Sequence, residues 1–187
     1  MWRHYLKLRE KGKFTIFNRT HYENVLVSRV HTEYLLNERN PFIDLNNIDD
    51  EFWNERLKRM VQMEKHLAEN GTIILKFFLH LSKDEQKKRL LKRLEQPKHQ
   101  WKFSPGDLEE RALWEQYQFC YEEVLKNSNH KYGKWYIIPS DDKVTIRLIV
   151  AKIIYETLKK LHDVVYPELD DEVRNKINLY KDQLKEE

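Results

Sequence analysis

Apolar positions along the chain fall into short runs of β-branched and aromatic side chains, separated by longer stretches in which they recur every three to four residues. The organising stretch is residues 13–30, KFTIFNRTHYENVLVSRV. Phe14, Thr15, Ile16 and Phe17 read as a strand, and polar side chains from Asn18 to Asn24 follow at its tip. Ahead of it, Trp2, Tyr5, Leu6 and Leu8 predict a helix over residues 2–10, with Gly12 placed to end it. No capping residue precedes Trp2. Residues 22–29 suit a short helix, and residues 37–47, with Pro41 and several asparagines, suit a loop. Trp53, Leu57, Met60, Val61, Leu67 and Ala68 predict a helix over residues 50–70, closed by Asn70 and Gly71. The nearly continuous apolar run at 72–79 is the pattern of a parallel strand buried on both faces.

Ser82 to Glu85 form a capping box that starts a helix directly off that strand, and Pro97 ends it after Gln96. Ser104 as cap and Pro105 at the first helical position mark another start, with Leu113, Tyr117, Cys120, Tyr121 and Val124 as the inner stripe. Residues 135–138 read as a third strand. Ser140, Asp141 and Asp142 cap the next helix, which should bury Ile146, Ile149, Val150, Ile153, Ile154 and Leu161. After Pro167 a polar amphipathic helix occupies about residues 171–184 of a C-terminal segment at about 168–185.

Composition narrows this pattern. The chain has 187 residues, enough for one domain with a sizeable core, and no repeat or internal boundary shows. Charged residues make up 35% and glycines number four, which favours long solvated helices over glycine-rich turn chemistry. Thirty-four basic against 31 acidic residues leave +3, so anion binding has to come from local clustering. Cys120 is the single cysteine, which excludes an internal disulfide framework and fits a reducing, cytoplasmic setting. The longest apolar run is about ten residues and carries Lys76 and His80, too short and too charged to span a membrane.

Two places could carry chemistry. In open α/β sheets ligands bind beyond the carboxyl ends of strands, which singles out Asn18 and Arg19, although an ordinary strand-to-helix junction would look the same. Arg89 and Arg93 lie four apart on one helix face, and Lys98 and Lys102 follow around Pro97. Two guanidinium forks beside two ammoniums suit phosphoryl oxygens; the alternative is a solvated basic face. No Cys/His spacing resembles a zinc site, and no Gly-x-x-x-x-Gly-Lys-Ser/Thr loop exists in the chain. Trp53, Trp114, Tyr117 and Trp135 fit a core better than a base-stacking platform.

FNRTHYENVLVSRVH (17–31) resembles the strand-end Asp/Asn-Arg-Ser/Thr-x-Tyr motif of the polyphosphate kinase 2 family. KFFLHLSKDEQKKRLLKR and PKHQWKFSPGD (within 76–107) resemble its lid, and KWYIIPSDDKVTIRL (134–148) its last strand and helix. The resemblance implies a three-layer, P-loop-kinase-like α/β fold: a parallel sheet with flanking helices, a helical lid at about 82–107, and its N-terminal strands missing. It implies transfer of a phosphoryl group between inorganic polyphosphate and nucleoside mono- or diphosphates, with Mg²⁺ at the phosphates and no nucleic acid or membrane as partner. Carried over by position, Asn18 and Arg19 sit at the phosphate end of the strand, Tyr22, Glu23 and Asn24 line the nucleotide side, and Arg89 and Arg93 are lid arginines joined by Lys98 and Lys102, with Asn18 and Arg19 facing Arg89 and Arg93 across a cleft. No residue of the chain is assigned as a metal ligand.

The family's glycine-rich loop and its lysine have no counterpart here. The expectation is an N-terminally shortened chain, inactive by itself, working as a homo-oligomer or with a complementing N-terminal segment. An ATP-dependent nucleotide kinase and a non-catalytic polyanion-binding module are the alternatives.

Overall fold

The computed structural model describes residues 2–8, 10–38, 40–41, 43–161 and 165–186. They fall into two compact units, Met1–Ile146 and Arg147–Glu187, a division with no mark in the sequence pattern. The first unit carries α1 (Trp2–Tyr5), α2 (Glu23–Val30), 3₁₀ turns at Thr32–Glu38 and Leu45–Asn47, and α3 (Asp50–Glu69). Then follow β1 (Lys76–His80), α4 (Lys83–Glu95), α5 (Pro97–Gln100), α6 (Gly106–Ala112), α7 (Trp114–Ser128) and β2 (Trp135–Pro139). α8 (Lys143–Leu158) starts in this unit, and its remainder and α9 (Asp171–Glu186) belong to the second.

The core forms where α2 and α3 pack on α7. Tyr22, Val25, Leu26, Leu35, Trp53, Leu57, Met60, Cys120 and Val124 are buried together. α3 begins where the Asp49 carboxylate accepts from the Phe52 amide at 2.9 Å. It ends where Gly71, at φ +89°, turns the chain so that the Thr72 amide reaches back to the Leu67 carbonyl. β1 and β2 are parallel, from Lys76 opposite Trp135 to His80 opposite Pro139, and the helices from α4 to α7 supply the crossover that parallel pairing demands.

Several expected elements differ. Residues 14–17 join no ladder, and Phe14 and Ile16 are 75% and 90% exposed. A strand needs a hydrogen-bonding neighbour, and no described strand lies beside them. The apolar run at 72–79 forms a strand only from Lys76, and Leu79 and His80 at its end are exposed rather than buried on both faces. The first helix stops at Tyr5, since Tyr5 and Leu6 are exposed and a short helix without packing is unstable; Arg9, in the expected helix, lies outside the described residues. The loop at 37–47 is partly 3₁₀, its residues 39 and 42 lying outside the described set. α8 buries none of its expected residues: Ile146, Ile149, Val150, Ile153 and Ile154 are half-buried, and Leu161, beyond its end, is exposed. In the second unit, α9 is laced by Lys176–Glu172 and Arg174–Asp171 pairs, and its apolar residues Val173, Ile177, Tyr180 and Leu184 are exposed. Among the described residues no helix is long and apolar enough to cross a membrane.

Candidate functional site

The carboxyl ends of β1 and β2 meet at a tight junction. The Ser140 amide donates to the His80 carbonyl at 2.9 Å, extending the ladder by one bond. Ser82 Oγ accepts from the Glu85 amide at 3.1 Å and caps α4 as the sequence predicted. The second half of that capping box is replaced: the Asp141 carboxylate, from the β2 side, accepts from the Ser82 amide at 2.8 Å. That bond holds the Asp141 carboxyl below its ordinary range. Glu85 instead accepts from Arg89 Nε at 2.8 Å.

Arg89 is thereby oriented. Its Nη2 donates to the carbonyls of Ser140 and Asp141 at 2.9 and 3.0 Å, so the guanidinium lies at the strand ends. Among the described residues Nη1 has no acceptor. One turn on, Arg93 Nη1 lies 3.5 Å from Asp107 Oδ2, linking α4 to α6. Lys98 and Lys102 are exposed, and the Lys102 ammonium lies 5.1 Å from the ring centre of the exposed Trp101. This half of the expected site is a run of cations with one member locked at the sheet end.

The other half is the turn before α2. Arg19 sits at φ +67°, a left-handed conformation that costs a non-glycine residue roughly 1 kcal/mol. Its Nε donates to both Glu23 carboxylate oxygens at 3.1 and 2.9 Å, which pulls the side chain along the first turn of α2. Asn18 is exposed, and Glu23 and Asn24 are half-buried. Tyr121 is held above the ordinary phenol range by burial first and by Glu23 second, and its ring packs tilted against Phe78 of β1, centroids 4.8 Å apart. No hydrogen bond or ion pair joins Asn18 or Arg19 to Arg89 or Arg93 among the described residues.

Tyr22 does not line an open surface. It is 1% exposed, and its hydroxyl donates to Glu64 Oε1 at 2.9 Å and accepts from Lys76 Nζ at 3.1 Å. Lys76 also donates to Glu64 Oε2 at 2.7 Å and to the Ser128 carbonyl at 2.8 Å, and His130 Nε2 lies 2.8 Å from the same Glu64 oxygen. Burial pushes the Glu64 carboxyl up, but neighbouring His21, the Lys76 ammonium and the Tyr22 hydroxyl together hold it below its usual range. Sequence reasoning passed over this cluster. The available signal was a carboxylate on the apolar stripe of α3, seven residues after Leu57, and a lone lysine inside an apolar strand: opposite charges in apolar settings, each needing a buried partner.

Two clefts open elsewhere. One of about 320 Å³, before the amino ends of the strands, is lined by Ala68, Thr72, Lys131, Tyr132 and Tyr136. Another of about 430 Å³ is lined by Arg29, Phe119 and Cys120. Neither contains an expected site residue. No cluster of three or more His, Cys, Asp or Glu able to hold a metal occurs among the described residues.

Parallel strands with a capped basic helix leaving the strand tip define a P-loop-kinase-like α/β protein, the expected class. The family model of polyphosphate kinase 2 (PPK2) matches residues 1–164, and the chain belongs to that family. An ADP-polyphosphate phosphotransferase of Rhodopseudomonas palustris is 43% identical over 184 residues, 98% of this chain and 63% of the relative. An AMP/ADP-polyphosphate phosphotransferase of Meiothermus ruber is 41% identical over 161 residues, 86% of this chain and 55% of the relative. The crystal structure of polyphosphate kinase 2 from Arthrobacter aurescens TC1 matches with a TM-score of 0.84 at 31% identity, covering 97% of this chain and 59% of that one. The chain thus spans between 55% and 63% of the length of these relatives.

Proposed function

We propose that the chain works in phosphoryl transfer between inorganic polyphosphate and nucleoside mono- or diphosphates, AMP and ADP being taken to ADP and ATP. The observation that carries this is Arg89, fixed by three hydrogen bonds at the carboxyl ends of two parallel strands, in a chain whose relatives are named polyphosphate phosphotransferases. Phosphoryl transfer asks mainly for positioned positive charge, since the reacting group carries its charge on peripheral oxygens. Arg89 presents Nη1 from a rigid mount. Arg93, Lys98 and Lys102 add mobile charge along the lid, and Asn18 and Arg19 meet the phosphates from the turn before α2. Glu23 and Asn24 take the nucleotide side, while Tyr22 serves the site only through the backbone it anchors.

Mg²⁺ belongs to this proposal as a companion of the phosphates. The residues present do not form a cage for it, because Asn18 offers one neutral oxygen and the described residues hold no cluster of three or more acidic or histidine side chains able to bind a metal. Mg²⁺ bound by substrate phosphates and water needs little from the protein. Self-association, complementation by a separate N-terminal segment, and a cytoplasmic location are parts of the same proposal, the first two checked by light scattering with and without added segment.

The test is calorimetric titration of the chain with polyphosphate and with ADP in Mg²⁺ buffer, followed by a luminescent assay for ATP. Saturable binding of both, with each altering the other's affinity, supports the reading. Absence of binding for both refutes it. Polyphosphate binding that ignores the nucleotide points to the polyanion module, and ATP outcompeting polyphosphate as donor points to the nucleotide kinase.

A further inference from the structure

We infer that Glu64 and Lys76 are positioning residues, which hold the Asn18–Arg19 turn in place through Tyr22. For its ligand readout this rests on the phosphate role proposed above.

The chain of contacts is continuous. Glu64 on α3 is 1% exposed and Lys76 on β1 is 7% exposed. Lys76 uses its three protons on Glu64, the Tyr22 hydroxyl and the Ser128 carbonyl, the last at the end of α7. Tyr22 is fixed at its hydroxyl by both charges and at its amide by Thr20 Oγ1, 3.3 Å away. Its carbonyl then accepts from the amides of Val25 and Leu26, both at 2.9 Å, and so starts α2. The first residue of α2, Glu23, grips Arg19, whose backbone is held in the left-handed region. From the Tyr22 hydroxyl through its carbonyl to Arg19 the links measure 2.9–3.1 Å, and each sets the orientation of the next.

Stability alone gives such a cluster no advantage. Removing two charges from water costs about as much as their attraction returns, and apolar replacements of similar volume are often as stable. What apolar side chains lack is direction. They would fill the space around Tyr22 without fixing where its hydroxyl points, and a strained turn persists only where its surroundings over-determine it.

The test separates these roles. The triple variant Tyr22→Phe/Glu64→Leu/Lys76→Met keeps volume and removes the ion pair and the hydroxyl that bridges it. It should melt within a few degrees of the unmodified chain, exchange the Val25 and Leu26 amides about tenfold faster while α7 amides keep their rates, and bind inorganic polyphosphate about tenfold more weakly, about 1.4 kcal/mol. Tyr22→Phe alone should move both readouts in the same direction and serves if the triple variant fails to fold. The core control Val124→Ala should lower the melting temperature yet leave polyphosphate affinity within about twofold. Unchanged exchange at Val25 and Leu26 overturns the inference, as does a loss of affinity in Val124→Ala equal to that in the cluster variants. If the unmodified chain binds no polyphosphate, the phosphate reading fails and amide exchange decides the positioning claim by itself.

Discussion

Lys76→Met is the perturbation with the most predictable consequence. It leaves Glu64, 1% exposed, without the lysine ammonium that pairs it, while Tyr22 and His130 remain within 2.9 Å of its oxygens. Removing one member of a buried ion pair costs about 3–5 kcal/mol; the surviving donors argue for the lower end, about 3 kcal/mol at neutral pH. At about 3–5 °C per kcal/mol for a unit of this size, the melting temperature should fall by about 10–15 °C. The pH dependence fixes the cause. In the unmodified chain the depressed carboxyl adds stability above the unfolded value of 4.5, and that stability is lost as pH falls through the lower folded value. In Lys76→Met the ammonium's lowering effect is gone while burial and the His21 and Tyr22 contacts stay, so the carboxyl moves up from its depressed position and the deficit is small in acid and grows as pH rises. Urea unfolding followed by circular dichroism, from acid to neutral pH, measures both. A loss below about 1 kcal/mol at neutral pH, or a deficit that does not change with pH, would refute the reasoning.

Other outcomes follow from single contacts. Gly133→Ala places a methyl group 3.1 Å from Glu64 Oε2 and 3.4 Å from Lys76 Cε, so it should lower stability by about 1–3 kcal/mol by chemical denaturation. Arg89→Ala removes two hydrogen bonds at the end of β2 and one to Glu85, and should lower both stability, by about 1–2 kcal/mol, and polyphosphate affinity. Arg93→Ala, with only a long contact to a partly exposed Asp107, should leave stability within about 0.5 kcal/mol while weakening polyphosphate binding and its dependence on salt in calorimetric titrations. Arg19→Gly relieves the left-handed backbone and so should hold stability within about 1 kcal/mol while lowering polyphosphate affinity, whereas Arg19→Val should be measurably less stable.

Much was legible in the sequence because it is local. The helix at 50–70, the Ser82 cap and the Pro97 stop depend on neighbours within four residues, and all three stand in the structure. The strand at 135–138 carries its own β-branched signal, and the motifs at 17–31 and 76–107 named the family. Pairing and burial were not local. Residues 14–17 have strand composition and no ladder, and α8 has the periodicity of a buried helix without a buried residue, because a pattern states what a segment can bury and not what is there to cover it. Tyr22 shows the same division at one residue. Its motif placed it on the nucleotide side of an expected site, but only α3 and β1, arriving from 42 and 54 residues away, decided that its hydroxyl points inward to Glu64 and Lys76. Local order set which helices, caps and charges this chain has; tertiary packing, through contacts too distant to leave a periodic trace, decided which of those charges stay exposed and which are buried to hold the fold.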